Sequence, residues 1–368
     1  MKLLYITNQI CGSAGLERVL SIKTSYLIEE LDYDIHILTI NQFDKPIFYE
    51  FNKKITYHDI ALNGHTIKHI YNYITKIRNT VNTVNPDIIS VCDDGIKAFT
   101  LPFILRKQRP IVYERHVSKS INVSDGKGMS FSKKVKTNIL NKLMHFGGKR
   151  FDKFVVLTND NLNEWRLKNV AVINNPLSFY PENTSSLSNK KVLAVGRQCI
   201  QKGYDRLLQS WKIVSEKHPD WELEIYGRFK HGKPFHKMAK DLNIEKTTTF
   251  FEPVKDIGKV YKEASIYVMS SRFEGFGMVL IEAMAYGVPC ISFNCPCGPE
   301  EIITNNENGF LVKNGDIEAF ANQIEMLILD KTTRQRLGER ARLKASEYFP
   351  DKIMPKWDNL FRELVKKA

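Results

Sequence analysis

A chain of 368 residues exceeds what one hydrophobic core usually organises, so two domains are expected, and its 43% hydrophobic and 26% charged residues are those of a soluble globular enzyme. No apolar run reaches bilayer-spanning length, and the six cysteines, scattered apart from Cys295-Pro-Cys297, lack zinc spacing, which leaves reduced cytoplasmic thiols as the simplest reading. The net charge of +13 is uneven: residues 101–150 hold 12 Lys/Arg against 2 Asp/Glu, which points to an anionic surface partner.

Residues 1–10 read as a first strand and not as a signal peptide. Gly12-Ser-Ala-Gly15 follows, then an amphipathic helix with Val19, Leu20, Ile22, Tyr26 and Leu27 mostly on one side. Glycines between a strand and a helix suit a phosphate-approaching turn or a plain one. The three-glycine dinucleotide fingerprint and the Walker lysine are missing, which weakens NAD and ATPase readings.

Strand and helix signals then alternate: a strand over 34–40, a helix over 66–84, a strand over 87–91, an apolar segment near 99–105 and a strand over 110–116. That alternation predicts an α/β fold with a parallel sheet whose ligands gather at the strands' carboxyl ends. His116 falls at such an end, where an imidazole can hydrogen-bond a sugar, shuttle a proton or serve structurally. Asp93-Asp94 has no third ligand nearby and reads as a solvated turn, with a divalent-metal role as the alternative.

Between residues 129 and 146, Phe131, Val135, Ile139, Leu140, Leu143 and Met144 recur at helical spacing, with Lys133, Lys134, Lys136 and Lys142 on other faces. The apolar face is expected to pack on the sheet as a crossover helix, and the lysines to attract anionic lipid. Short strands over 154–158 and 171–176 follow, and the polar, Ser-rich, aperiodic stretch 177–189 is the linker candidate.

The second half restarts the pattern with a strand entering Gly196-Arg197, a loop through Lys202-Gly203, and a helix with Leu207, Leu208, Trp211 and Val214 capped by Asp205. Arg197 and Lys202 then lie beside a helix N-terminus, where two cations and backbone amides can neutralise a diphosphate without metal. Strands are read at 221–226, 249–251 and 289–293, around the most informative stretch, 270–289. There an apolar run ends, Gly275-Phe276-Gly277 turns the chain, and a helix rich in Ala, Met and Leu begins. Glu274 and Glu282 bracket the turn. Helix amides attract phosphate and carboxylates accept from sugar hydroxyls, which suits an activated sugar; complementing the helix dipole is the plainer role. Residues 351–368 form a separate helix with Ile353, Trp357, Leu360, Phe361 and Leu364 on a side needing cover.

Glu274 and Glu282 with seven residues between them, Gly287-Val-Pro-Cys-Ile, Gly298-Pro-Glu-Glu-Ile302, Asn308-Gly-Phe-Leu-Val312, Gly196-Arg197 and Lys202-Gly203 together resemble a known family over nearly the whole chain. It is similar to the retaining glycosyltransferases of GT-B fold, glycosyltransferase family 4. The resemblance implies two Rossmann-like parallel-sheet domains facing across a cleft: an acceptor-binding domain over 1–180, a donor-binding domain over 190–350, and a terminal helix over 351–368 crossing back to the first.

By the same resemblance, Arg197 and Lys202, with Gly196 beside them, hold the donor diphosphate. Glu274 contacts the donor sugar, and Glu282 binds the ribose hydroxyls. The backbone of Gly275, Phe276, Gly277, Met278 and Val279 meets the diphosphate or sugar. Gly15 faces the diphosphate from the first domain, although the loop departs from the adjacent glycines of many members, and His116 approaches the donor sugar beside the acceptor.

The implied reaction is retaining transfer from a nucleotide diphosphate sugar, UDP foremost, to a saccharide or lipid-linked acceptor in bacterial capsule, exopolysaccharide or lipopolysaccharide assembly, with no metal or other cofactor. The expected partners are the donor, the acceptor and an anionic membrane surface met by residues 115–150, not nucleic acid. The expected place is the cytoplasm, peripheral to the plasma membrane. A nucleotide-sugar epimerase or phosphorylase on the same scaffold, and a non-catalytic subunit, are the alternatives.

Overall fold

A computed structural model describes residues 1–62, 66–105, 109–119, 131–229 and 233–368. Contacts group them into two units, Met1–Lys119 with Ser130–Pro176 and Pro350–Ala368 in one, and Leu177–Phe349 in the other.

The first unit holds a seven-stranded sheet among the described residues: β1 (Lys2–Thr7), β2 (Asp34–Ile40), β3 (Thr56–Ile60), β4 (Ile88–Cys92), β5 (Ile111–Glu114), β6 (Lys153–Val156) and β7 (Val170–Val172). Its order is β3-β2-β1-β4-β5-β6-β7 and its pairings are parallel. Leu3, Leu4, Tyr5 and Ile6 are consecutive and all buried, because helices cover both faces of such a sheet. β3 escapes a reading by pattern: Thr-Tyr-His-Asp-Ile is an edge strand on which Thr56, Tyr57 and Asp59 are exposed and Ile60 alone is buried. On one face the terminal helix Pro350–Lys367 supplies the cover its apolar side demands, burying Ile353, Trp357 and Phe361 with Leu20, Leu27 and Ile37.

The Phe131–Gly148 helix departs from expectation. Thr137 and Met144 face inward, but Val135, Ile139 and Leu143 point to solvent. The small Gly147 and Gly148 let this end of the helix lie against Phe99 and Phe154, so burial follows residues 137, 144, 147 and 148 rather than the bulkier stripe.

The second unit repeats the plan with β8 (Lys191–Val195), β9 (Glu222–Tyr226), β10 (Thr248–Phe251), β11 (Ile266–Met269), β12 (Cys290–Asn294) and β13 (Gly309–Lys313), ordered β10-β9-β8-β11-β12-β13. The order reverses direction between β8 and β11, and open parallel sheets bind ligands at the carboxyl ends of strands flanking such a reversal. The Ser-rich stretch after Leu177 is tied onto this unit: Ser185 Oγ donates to the Ala264 carbonyl, and the buried Arg334 guanidinium donates to the Leu187 carbonyl. The stretch begins at the boundary between the two units, and these bonds fasten it to the second.

Candidate functional site

The two loops leaving β8 and β11 interlock at the reversal point. The Arg272 amide donates to the Gln201 carbonyl, Ser270 Oγ donates to the Lys202 carbonyl at 2.8 Å, and Gln201 Nε2 donates to the Phe273 carbonyl at 3.2 Å. Gly203 permits this approach: its φ is +67°, and a Cβ there would lie 2.0 Å from the Ser270 carbonyl oxygen. Only glycine accepts both conditions. Asp205 does not cap the helix Tyr204–Lys217. It sits inside the first turn and takes a two-pronged ion pair from Arg272, at 2.8 and 2.6 Å, which staples the loops together. Burial alone would raise the Asp205 pKa, but the Arg272 guanidinium outweighs it and holds the carboxyl below its usual range.

Lys202 and Glu274 meet in the middle of this clasp, Nζ to Oε1 at 2.7 Å. Glu274 is buried and also accepts from Ser271 Oγ. Three residues on, Gly277 at φ +103° ends the turn and opens the helix Met278–Ala285, whose first two residues, Met278 and Val279, are half-buried while Gly275 and Phe276 are buried. Phe276 is fixed edge-on to Tyr348, with ring centroids 5.5 Å apart. Arg197, just past the end of β8 and Gly196, is exposed and has no acidic partner among the described residues. A lysine, an arginine and helix-start amides therefore share one end of one sheet with a carboxylate.

Glu282 lies one turn into that helix and is buried, accepting from Ser178 Oγ and Tyr261 OH, each at 3.0 Å. Neither partner was legible in the sequence, because Ser178 arrives from the stretch before the sheet and Tyr261 from another crossover.

In the first unit, Gly15 is exposed and begins the helix Gly15–Glu29. His116 lies two residues past β5 at the head of a buried ionic chain. Its Nε2 is 3.3 Å from Glu114 Oε2, the same oxygen receives Lys23 Nζ at 2.6 Å, and Ser90 Oγ donates to Oε1 at 2.6 Å. Lys23 is buried, its ammonium 3.3 Å from the centroid of the Trp357 ring. The signal for Lys23 was present: it stands among Val19, Leu20, Thr24 and Leu27, at spacing that belongs to the covered side of the helix. Burial alone would raise the Glu114 pKa, but the Lys23 charge and the His116 bond bring it down to about 2 from the usual 4.5. An ionised carboxylate only accepts, so Nε2 carries the proton shared with Glu114, and whenever the ring is neutral Nδ1 is left as an acceptor. That Nδ1 is buried and meets no partner among the described residues.

A depressed carboxyl contributes stability that is complete above its unfolded pKa and is lost as pH falls through the folded value. The thermal midpoint of the first unit is thus expected to fall more steeply between pH 4.5 and 2 in the wild type than in Glu114→Gln. Parallel curves for the two proteins would contradict the ionised pair.

Cys92, Glu114 and His116 bring one ligand atom each within 4.8 Å of one another, the spacing of a metal site. Lys23 already supplies the positive charge there, at hydrogen-bond distance from Glu114, so a cation would have to displace it. Asp93 is not the solvated turn residue expected: it is buried, accepting from Asn8 Nδ2 and from the Gly95 amide, and burial pushes its carboxyl up. Asp94 instead receives the His116 amide at 3.2 Å, which helps fix the strand exit.

A family model described as glycosyl transferases group 1 matches residues 180–344, the span that carries the clasp. An uncharacterized glycosyltransferase of Haemophilus influenzae is 30% identical over 361 residues, 95% of this chain and 97% of that protein. The chain belongs to this glycosyltransferase family. This glycosyltransferase is similar, at 30% identity over 98% of its length and 99% of the other's, to the amylovoran biosynthesis glycosyltransferase AmsD of Erwinia amylovora. Solved structures with the same architecture include TarM of S. aureus in complex with fondaparinux, alpha-GlcNAc-glycerol and UDP (TM-score 0.79, 17% identity, 98% of this chain and 100% of that one). HepE of Anabaena in complex with UDP-glucose superposes at TM-score 0.79 with 19% identity, covering 99% and 100%. At such identities the likeness carries the fold, and the paired parallel sheets of this glycosyltransferase are GT-B.

Proposed function

We propose that this glycosyltransferase moves a sugar from a nucleotide diphosphate donor, UDP-linked, to a hydroxyl of a saccharide or lipid-linked saccharide, with retained anomeric configuration and without a metal. The observation that carries the reading is the meeting of Lys202 with Glu274 at the mouth of the Gly277 turn, with Arg197 at the same sheet end. Donor binding exchanges one ion pair for two better-matched contacts. The diphosphate takes Lys202, Arg197 and the amides after Gly277, while the sugar hydroxyls donate to Glu274. Ribose hydroxyls compete with Ser178 for Glu282. In the first unit, the exposed Gly15 is the residue assigned to the diphosphate and His116 the one assigned to the donor sugar.

As the bond from the anomeric carbon to the phosphate oxygen breaks, negative charge grows on the diphosphate, where the fixed cations and amides lower its energy. The acceptor oxygen attacks from the same face, and its proton passes to the departing phosphate oxygen. UDP is favoured by the UDP complexes of TarM and HepE, and surface polysaccharide assembly by the name of AmsD. The basic residues 115–150 favour attachment to the anionic cytoplasmic face of a membrane, although residues 120–130 lie outside the described residues. No helix of the described residues is long and apolar enough to cross one.

The test is a panel of nucleotide sugars with and without saccharide acceptor, in EDTA, with the product's anomeric configuration read by NMR. One UDP-sugar should be consumed at an EDTA-insensitive rate and give the donor's configuration. An inverted product, or activity restored only by divalent metal, would overturn those parts of the reading. Turnover to a new sugar without acceptor would point to an epimerase.

A further inference from the structure

The Phe131–Gly148 helix carries three faces around its circumference. Thr137, Met144 and Gly147 are buried against the unit. On the outward side, Val135, Ile139, Leu143 and Phe146 form one stripe, 42%, 54%, 52% and 53% exposed. Spaced four, four and three residues apart, they span less than a quarter turn at 100° per residue. Phe103, itself exposed, extends the stripe beyond the helix by stacking on Phe146, centroids 5.6 Å apart, and the Arg150 guanidinium lies 5.5 Å from the Phe146 ring.

The third face is basic. A cavity of about 450 Å³ opens beside the stripe, lined among others by Lys119, Asn138, Asn141, Lys142, His145 and Lys149. Burial first, then the charges of Lys149 and Lys119, push the His145 imidazole's pKa down. Glu164 is a nearby acid whose carboxylate accepts from the Lys119 amide, Ser118 and Asn161, while the Lys119 ammonium donates to the Glu164 carbonyl and lies 4.1 Å from the Trp165 ring centroid, which leaves Lys142 and Lys149 as the exposed cations of this face. Lys136 flanks the stripe on its other side and is exposed. A line of large apolar side chains open to water is costly, and a crowd of cations calls for anions. One surface answers both: a bilayer whose headgroups carry phosphate.

We infer that the Phe131–Gly148 helix lies in the plane of an anionic bilayer, with Val135, Ile139, Leu143 and Phe146 in the acyl boundary and Lys142 and Lys149, at the rim of the cavity, on lipid phosphate. This makes specific the membrane attachment proposed above and does not depend on the transfer chemistry. The stripe is a single row, too narrow for a bundle seam, and the flanking lysines reach headgroup level on their long stems. An acceptor held in that bilayer is brought to the enzyme in two dimensions.

The whole protein is sedimented with neutral phosphatidylcholine vesicles and with vesicles containing phosphatidylglycerol. Wild type is expected to bind only the second, more weakly as salt rises. K142A with K149A should lose about 30-fold in affinity, since each lysine near the surface contributes about a factor of five to six. I139S with L143S should leave weak, wholly salt-sensitive binding. Leu143→Trp should show a fluorescence blue shift on anionic vesicles. These side chains are exposed, so unchanged UDP binding heat and thermal midpoint serve as the folding control. Equal partitioning to both vesicles, or no blue shift, would overturn the inference. So would a dimer that the serine variant splits, or full saturation of the cavity by inorganic phosphate without vesicle affinity. Vesicle binding with no sugar transfer would sink the proposed reaction and leave this inference standing; transfer without vesicle binding would do the reverse.

Discussion

Lys202→Ala is expected to lower kcat for sugar transfer by about 10²- to 10³-fold, the usual loss when one preorganised donor to a developing negative charge is removed. The loss has a second source. Lys202 also neutralises the buried Glu274, so the alanine variant leaves that carboxylate beside the incoming diphosphate without its counter-charge. Donor affinity should therefore fall along with kcat, which a residue acting only in the transition state would not produce. Adding Glu274→Gln to Lys202→Ala should recover part of the donor affinity, because the repulsion is gone, but not turnover. The loops should survive, since Arg272 with Asp205 and the side-chain bonds of Gln201 and Ser270 to backbone carbonyls hold them independently. Near-wild-type kcat in the single variant, with an unchanged thermal midpoint, would remove Lys202 from the chemistry.

The second large effect is in the first unit. Lys23→Ala or Glu114→Ala should destabilise it by about 3–5 kcal/mol, because each leaves an ionised partner buried without compensation. Replacing both by apolar residues of similar volume, Lys23→Met with Glu114→Leu, should restore most of that stability, since the desolvation cost disappears with the pair. Sugar transfer should stay low. Without Glu114 nothing holds the His116 proton on Nε2, and its Nδ1 is no longer reserved as an acceptor. Nitrogen NMR of the imidazole reads this directly: at a pH where the ring is neutral, the Nε2-protonated tautomer in the wild type and a mixture of tautomers in the double variant. A double variant that is stable and fully active would reduce the chain to a structural ion pair.

The Glu274-to-Glu282 stretch was legible because its chemistry is local. A strand, a Gly-Phe-Gly turn and a helix follow one another within 17 residues, Ile266 to Glu282, and neighbours in sequence fix which amides face outward. Arg197 and Lys202 were legible for the same reason, from a strand end followed by a helix start. The Phe131–Gly148 helix was half legible. Periodicity located it, but an apolar residue at helical spacing does not say which of two outward directions has a neighbour, and the sheet took residues 137 and 144 and left 135, 139 and 143 in water. Asp205 was misplaced because Asp near a helix start is a capping signal, and only the folded chain brings Arg272 across to claim it.

By itself the sequence determined the two α/β repeats, the residues at the strand ends and the presence of a terminal helix needing cover, because hydrophobic period and turn chemistry act over a few residues. The tertiary structure alone decided the partners. Lys202 rests on Glu274 72 positions away, Glu114 on Lys23 91 positions away, and Trp357 closes over that lysine from the far end of the chain. A buried charge is tolerated only where another element delivers its counter-charge, and nothing in the neighbouring residues says which element that will be.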